Sequence, residues 1–304
     1  MGSPCQVQLQ GEAPALLQSV GVQLEAEARR LEAKYSRFLP DSLTTRINQA
    51  AGSGSPVAID EETARLLDYA DTCWRQSDGL FDITSGSLRS LWNYHDLADR
   101  QTLPTAADIE KALVKIGWQK VERGEDSVAL PQPGMEIDFG GIVKEYAADC
   151  LATLAERAGV ASGLVELGGD IRLVGIVPET KAWQVGIRDP FDTSRACAHI
   201  SLSQGALASS GDYERYTVIQ GRKYSHILNP LTGWPVSGYS SVSVVAEQCV
   251  IAGTVATIAM LRGTEGETWL KELGLPYLSI DQDGRFDGSI AGDLSGVVNN
   301  GETG

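Results

Sequence analysis

The stretch Asp138-Phe139-Gly140-Gly141-Ile142-Val143-Lys144-Glu145-Tyr146-Ala147-Ala148-Asp149 decides how the rest of the chain is read. A carboxylate leads through two glycines into a basic residue, and Tyr146, Ala147, Cys150, Leu151 and Leu154 then recur at helical spacing. Upstream, Gly134-Met135-Glu136-Ile137 predicts a turn into a short strand. The unit is strand, glycine turn, helix start. Glycines at such a point let backbone N–H groups approach an anion, and the helix N-terminus adds a favourable partial charge. A phosphate-bearing ligand suits the pattern, and so does a plain tight connection, because glycine is the default residue of strained backbone. It is neither a Walker A loop nor a dinucleotide fingerprint, since GxxxxGK[ST] and GxGxxG are both missing.

On the N-terminal side, Cys5–Gln10 alternates like a strand, and Leu17, Val20, Leu24, Ala28 and Leu31 mark a long amphipathic helix. The polar turn SRFLPDSLTTRIN follows, then a helix starting at Asp60/Glu61 and running through Leu66, Leu67, Ala70 and Trp74. The segment SDGLFDITSGSLRSLW reads as loop until Leu88, Leu91 and Trp92 suggest a short helix, and a further helix over 106–116 ends at Gly117. From Ser162 onward short strands dominate: LVELGGDIRLVG, KAWQVGIRDP, AHISLS, YTVIQGRKYSHILN and SVSVVA. A late helix over 250–262 is nearly all apolar or small and is expected to be buried. Helices followed by clustered strands predict an α+β fold, a mixed sheet with flanking helices, rather than alternating βαβ units. With no repeat and no clean linker, residues 1–304 read as one compact domain with room for two lobes.

Composition excludes several classes of function. The chain has 304 residues, is 42% hydrophobic, and carries a net charge of −15 with a pI near 4.6. Such an acidic surface argues against a nucleic-acid backbone or an anionic lipid surface as partner, so any phosphate must be held locally. Five scattered cysteines without a CxxC pair suggest neither a zinc ribbon nor a disulfide framework. No segment reaches the ~18 apolar residues of a transmembrane helix, and MGSPCQVQLQG lacks the basic-then-apolar form of a signal peptide.

Three histidines exist: His95, His199 and His226. His226 lies in YSHILNPLTGWP, where an extended run ends at Asn229-Pro230. An imidazole at such a corner can act as a general base, or it can be a hydrogen-bonded turn residue. His199 is expected to be half-buried in a strand, and His95 to be a packing residue. In ALASSGDYERY, Ser209 and Ser210 precede Gly211 and Asp212, which fits either a phosphate or ribose lining or an ordinary turn. In LGGDIRLVG, Gly168, Gly169 and Asp170 fit a close backbone approach or a bulge. No GxSxG occurs, so a serine-hydrolase elbow has no support.

The order of these pieces is more telling than any one of them. MGSPC, SRF…DSLTTRIN, LFDIT, IDFGGIVKEYAAD, LVELGGDIRLVG, ASSGDYERY, SHILNPLTG and a late AGTVAT helix together resemble the ApbE-like family of FAD:protein FMN transferases. The resemblance spans nearly the whole chain. It implies a T-fold-related α+β architecture and an enzyme that splits FAD, attaching FMN through its phosphate to a threonine or serine hydroxyl of an acceptor protein and releasing AMP. Some relatives instead hydrolyse FAD to FMN and AMP. By position, the resemblance places Met1, Phe38, Leu80, Phe81, Asp82, Asp138, Lys144, Ser210, Gly211 and Ile227 around FAD, and His226 where the acceptor hydroxyl is activated. Phe38 stands where tyrosine is usual, keeping a stacking face and losing a hydroxyl. The implied acceptors are flavin-bearing subunits of membrane redox complexes, such as sodium-pumping NADH:quinone reductases, Rnf-type complexes or nitrous-oxide-reductase maturation proteins. The implied compartment is the periplasm or the outer membrane face, with the cytoplasm as the alternative.

The resemblance also implies a magnesium ion held by the backbone of Gly141, by Thr257 and by an aspartate one helical turn before Thr257. Here that motif reads AGTVAT, so Gly253 stands in place of the aspartate, and Glu145 stands where glycine is frequent. Magnesium is ordinarily held by one or two carboxylates plus substrate phosphates. Either another acid such as Asp170, Asp212 or Glu247 substitutes, or phosphates and water fill more of the shell, or the protein binds FAD without turning it over. Restoring the carboxylate with Gly253→Asp is expected to single out the last of these, a large gain in magnesium-dependent turnover meaning a crippled native site.

Overall fold

The computed structural model describes residues 4–93, 97–99 and 101–290. Met1 and His95, both singled out above, lie outside the described residues.

The backbone is an antiparallel sheet with helices on one face and a two-stranded ribbon on the other. Seven strands lie in the order β1 (Cys5–Gln10), β5 (Ser162–Leu167), β6 (Asp170–Val174), β9 (Ala206–Gly211), β12 (Tyr239–Ala246), β13 (Tyr277–Asp281) and β14 (Phe286–Gly288). Period-2 alternation decides which side chains meet which layer. Val165, Ala206, Ala208, Val244 and Tyr277 enter the main core beneath the helices, while their neighbours Leu164, Leu207 and Leu278 enter a second core. That second core is covered by Val185 and Ile187 of β7 (Trp183–Arg188) and by Ala198 and Ile200 of β8 (Ala196–Leu202). The same alternation turns His199 to solvent, so it is exposed rather than half-buried.

The helix layer is built from α1 (Pro14–Tyr35), α5 (Val143–Arg157) and α6 (Cys249–Arg262). Helix α6 has almost no polar face and is buried along most of its length, as its composition predicts. Helix α5 packs on both α1 and α6 and contributes Ala147, Ala148, Leu151, Ala152 and Ala155 to the core. Its small side chains let the helices approach closely.

Three local readings change. The expected strand before Asp138 is a single parallel bridge, Ser85 to Glu136. Its backbone groups are satisfied elsewhere: Asn48 Oδ1 accepts from Ile137 N–H at 2.7 Å and Asn48 Nδ2 donates to Ile137 O at 2.9 Å. The segment ALASSG is no turn but β9, paired on one side with β12 and on the other with β6, because its small residues fit between two packed layers. The helix expected over 106–116 spans Ala106–Leu113, and the approach to Gly117, at φ 146°, is made by turns instead. Gly168 and Gly169 form the two-residue link of the β5–β6 hairpin, with φ of 62° and 92°. Two positive φ angles in succession match a type I′ connection, which sets the register that starts β6 at Asp170.

Candidate functional site

The glycine turn ahead of α5 is crowded, not strained. Neither glycine has a positive φ, yet a Cβ at Gly141 would lie 3.3 Å from the Phe81 ring. A Cβ at Gly140 would lie 3.1 Å from Asp138 Oδ1, the oxygen that accepts from Gly140 N–H at 2.9 Å. The Asp138 carboxylate also pairs with Arg37 and, at 2.7 Å, with Arg89. Arg37 in turn lies 4.5 Å from the Phe38 ring centroid, and Phe38 is 77% exposed. An exposed aromatic face backed by a guanidinium is a stacking platform for a flat ring.

In the first turn of α5, Lys144 pairs with Asp170 at the start of β6 and lies 3.2 Å from Glu145 Oε1. Burial works to lower the Lys144 ammonium, but Glu145 and Asp170 overrule it and hold it above the ordinary range. Burial pushes the Asp170 carboxyl up while Lys144 pulls against it. Asp170 Oδ1 accepts from Ser209 N–H at 3.0 Å, which ties this ion pair to β9. The next residue, Ser210, faces the helices, and its Oγ lies 2.8 Å from Thr257 Oγ1 on α6. Lys144, Asp170, Ser210 and Thr257 thus converge at the helix–sheet interface.

The relative position of α5 and α6 is fixed by Asp149. Its Oδ1 accepts from Cys249 N–H at 2.8 Å and its Oδ2 from Val250 N–H at 2.9 Å, capping the first turn of α6. Glu145 lies one turn before Asp149, and Gly253 one turn after Cys249, so the two helices run antiparallel with these residues opposed. A Cβ at Gly253 would stand 2.5 Å from Glu145 Cγ. One turn further along α6, Thr257 meets Ser210 of β9, while Gly141 lies just ahead of α5. Glu145 is 6% exposed, and its Oε2 has no hydrogen-bond partner.

His226 is held by Arg215. The carbonyl of Arg215 accepts from His226 N–H at 2.9 Å and lies 3.1 Å from Nδ1. A carbonyl can only accept, so Nδ1 carries the proton and Nε2 keeps a lone pair. Burial lowers this imidazole to about 4, the hydrogen bond to the Arg215 carbonyl opposing the shift and the Arg215 charge adding to it. It is therefore neutral at neutral pH. Burial raises the carboxyl of the neighbouring Glu214, with Lys144, Arg188 and Arg215 opposing.

Other expected residues have structural occupations. Asp82 Oδ1 accepts from Thr84 N–H at 2.7 Å and its Oδ2 from Trp118 N–H at 2.9 Å, so this carboxylate ties two loops together. Leu80 is half-buried against the main core, and Ile227 is within it. Gly211 makes room for the Tyr213 ring. Of the acids considered as substitutes for an aspartate at 253, Asp170 is engaged by Lys144 and Ser209, Asp212 pairs with Lys223 at 2.7 Å, and Glu247 is exposed. A cavity of about 750 Å³ is lined by Asp212, Ser225 and Trp234 among others, but not by His226, Lys144 or Thr257.

Among the described residues no three His, Cys, Asp or Glu side chains gather as a metal cluster. The oxygens on this side of α6 are the Thr257 and Ser210 hydroxyls and the unpartnered Glu145 Oε2, with the Gly141 carbonyl in the turn ahead of α5. A hard cation that also takes substrate phosphates as ligands fits that set.

The ApbE family model matches residues 1–278. A FAD:protein FMN transferase of Chlamydia pneumoniae is 31% identical over 262 residues, covering 84% of this chain and 80% of the relative. Another of Salmonella typhimurium is 31% identical over 281 residues, covering 90% and 78%. Among solved structures, the ApbE protein of Thermotoga maritima superposes with a TM-score of 0.82 at 32% identity, covering 93% of this chain and 92% of that one. The flavin transferase ApbE of Vibrio cholerae gives a TM-score of 0.83 at 25% identity, covering 98% and 96%. With this architecture, this order of motifs and a match over most of its length, the chain belongs to the ApbE family.

Proposed function

We propose that this protein transfers the FMN half of FAD to a threonine or serine hydroxyl of an acceptor protein and releases AMP. The observation that carries the reading is the histidine corner: a neutral imidazole with Nδ1 anchored on the Arg215 carbonyl and Nε2 available. In the reaction, the acceptor oxygen forms a bond to the FMN phosphorus while the bond from that phosphorus to the AMP oxygen breaks. The hydroxyl proton passes to His226 Nε2, which makes a weak nucleophile effective. Phosphoryl transfer otherwise depends on positioning and on fixed charge. Phe38 and Arg37 offer the stacking face for a flat ring of FAD. Lys144 supplies a permanent cation beside the glycine turn.

Gly141 and Thr257 are the residues that would hold magnesium, which when bound supplies charge neutralisation on the diphosphate. The acceptor is proposed to be a flavin-bearing subunit of a membrane redox complex, on the strength of the family resemblance, with this chain on the same side of the membrane as that subunit. Among the described residues no helix is long and apolar enough to cross a membrane.

The test is mass spectrometry of an acceptor domain carrying an Asp/Ser-Gly-Ala-Thr type motif after incubation with this protein, FAD and magnesium, with AMP followed in parallel. An FMN-sized adduct on the threonine, lost in His226→Ala, is the expected result. AMP and FMN without an adduct would instead make the protein a FAD pyrophosphatase, and neither product despite FAD binding would make it a carrier.

A further inference from the structure

We propose that Glu145 is a ligand of the divalent cation, its carboxylate reaching from α5 into the position that a side chain at 253 would otherwise fill from α6. The inference rests on the functional reading above, since the cation serves the same diphosphate. Three observations carry it. Glu145 is 6% exposed, and its Oε2 has no hydrogen-bond partner. A buried carboxylate oxygen left unpaired is costly, and a cation is the partner that removes the cost. The notch at Gly253 is shaped for this side chain, because a Cβ there would stand 2.5 Å from Glu145 Cγ and 3.2 Å from Oε1. Finally, the antiparallel register fixed by Asp149 puts Thr257 one turn beyond that notch, against Ser210, at the end of α5 that Lys144 and the glycine turn occupy.

Lys144 does not complete this carboxylate. Its ammonium lies 3.2 Å from Oε1 and closer to Asp170, and Oε2 has no hydrogen-bond partner. Glycine at 253 and glutamate at 145 are thus one change: the donor has moved from one helix to its neighbour, and its extra methylene spans the added distance.

The experiment is titration of the full chain with MgCl2 by calorimetry, and with Mn2+ by electron paramagnetic resonance, with and without FAD and without acceptor. Glu145→Gln keeps the shape and removes the charge, so it is expected to weaken cation binding about tenfold or more. The exchanged double variant Glu145→Gly/Gly253→Asp is expected to restore it. Unchanged affinity in Glu145→Gln overturns the proposal. So does a wild-type chain that binds neither cation while transferring FMN in EDTA, which would leave Lys144 as the charge on the diphosphate. Should the double variant not fold, the isosteric Glu145→Gln still decides. Because the readout is cation binding, it stands apart from the transfer assay: loss of affinity in a chain that only hydrolyses FAD would keep this inference and discard the transferase reading.

Discussion

Glu145 on α5 occupies the space that a side chain at position 253 on α6 would need, with 2.5 Å between Glu145 Cγ and the place of a Cβ at Gly253. The contact is between two buried helices, and no side chain can be added at 253 while Glu145 stays in place.

Gly253→Ala alone is expected to destabilise the fold by about 1–3 kcal/mol, because the buried glutamate has no open space to retreat into. The same substitution beside Glu145→Gly should be neutral or stabilising, since alanine favours a helix interior over glycine by about 1 kcal/mol. Urea unfolding of the four chains of this double-mutant cycle measures the coupling. Gly253→Asp alone is likewise expected to lose stability rather than gain activity, which alters the meaning of restoring the aspartate.

Removal of the His226 imidazole is expected to slow FMN transfer by about 10²- to 10⁴-fold while FAD binding persists. The pH profile of the wild-type chain offers an independent check. The base works in its deprotonated form, and burial lowers the imidazole to about 4. Transfer attributable to it should therefore be level through neutrality and fall only as pH drops toward about 4, with no inflection near the ordinary histidine value. A rate that halves near pH 6.5 would contradict this, that being the unperturbed value of the residue.

Phe38 is exposed and packs on Arg37, so Phe38→Ala should leave thermal stability within about 0.5 kcal/mol. Loss of a stacking face costs about 1–3 kcal/mol per ring. FAD affinity, read by fluorescence quenching, is expected to fall accordingly, while Phe38→Tyr should retain it.

Asp82 is expected to behave in the opposite way. Asp82→Ala leaves the Trp118 and Thr84 N–H groups without their acceptor, at a cost of about 1–3 kcal/mol each if they stay buried. Chemical denaturation should show the loss, whereas FAD affinity of the folded fraction should be little changed.

Sequence by itself determined the fold class, the helices α1 and α6 and most strands, because periodicity and turn residues are local properties that packing here did not override. It also determined the family, through motifs whose order runs the length of the chain. The histidine corner was visible, but the partner that fixes its tautomer was not, since the Arg215 carbonyl is a backbone atom brought near by the fold. Asp82 and Asp138 were both placed near FAD by the resemblance alone. Only the structure separates the first, engaged by backbone N–H groups, from the second, paired with Arg37 and Arg89 at the glycine turn. Gly253 and Glu145 were each legible as departures from the family pattern, but only Gly253 read singly suggested a weakened site. That they oppose one another follows from the antiparallel approach of two helices far apart in the chain, clamped by Asp149. No local pattern encodes that distance, because it is set by how the small side chains of α5 and α6 pack in the core.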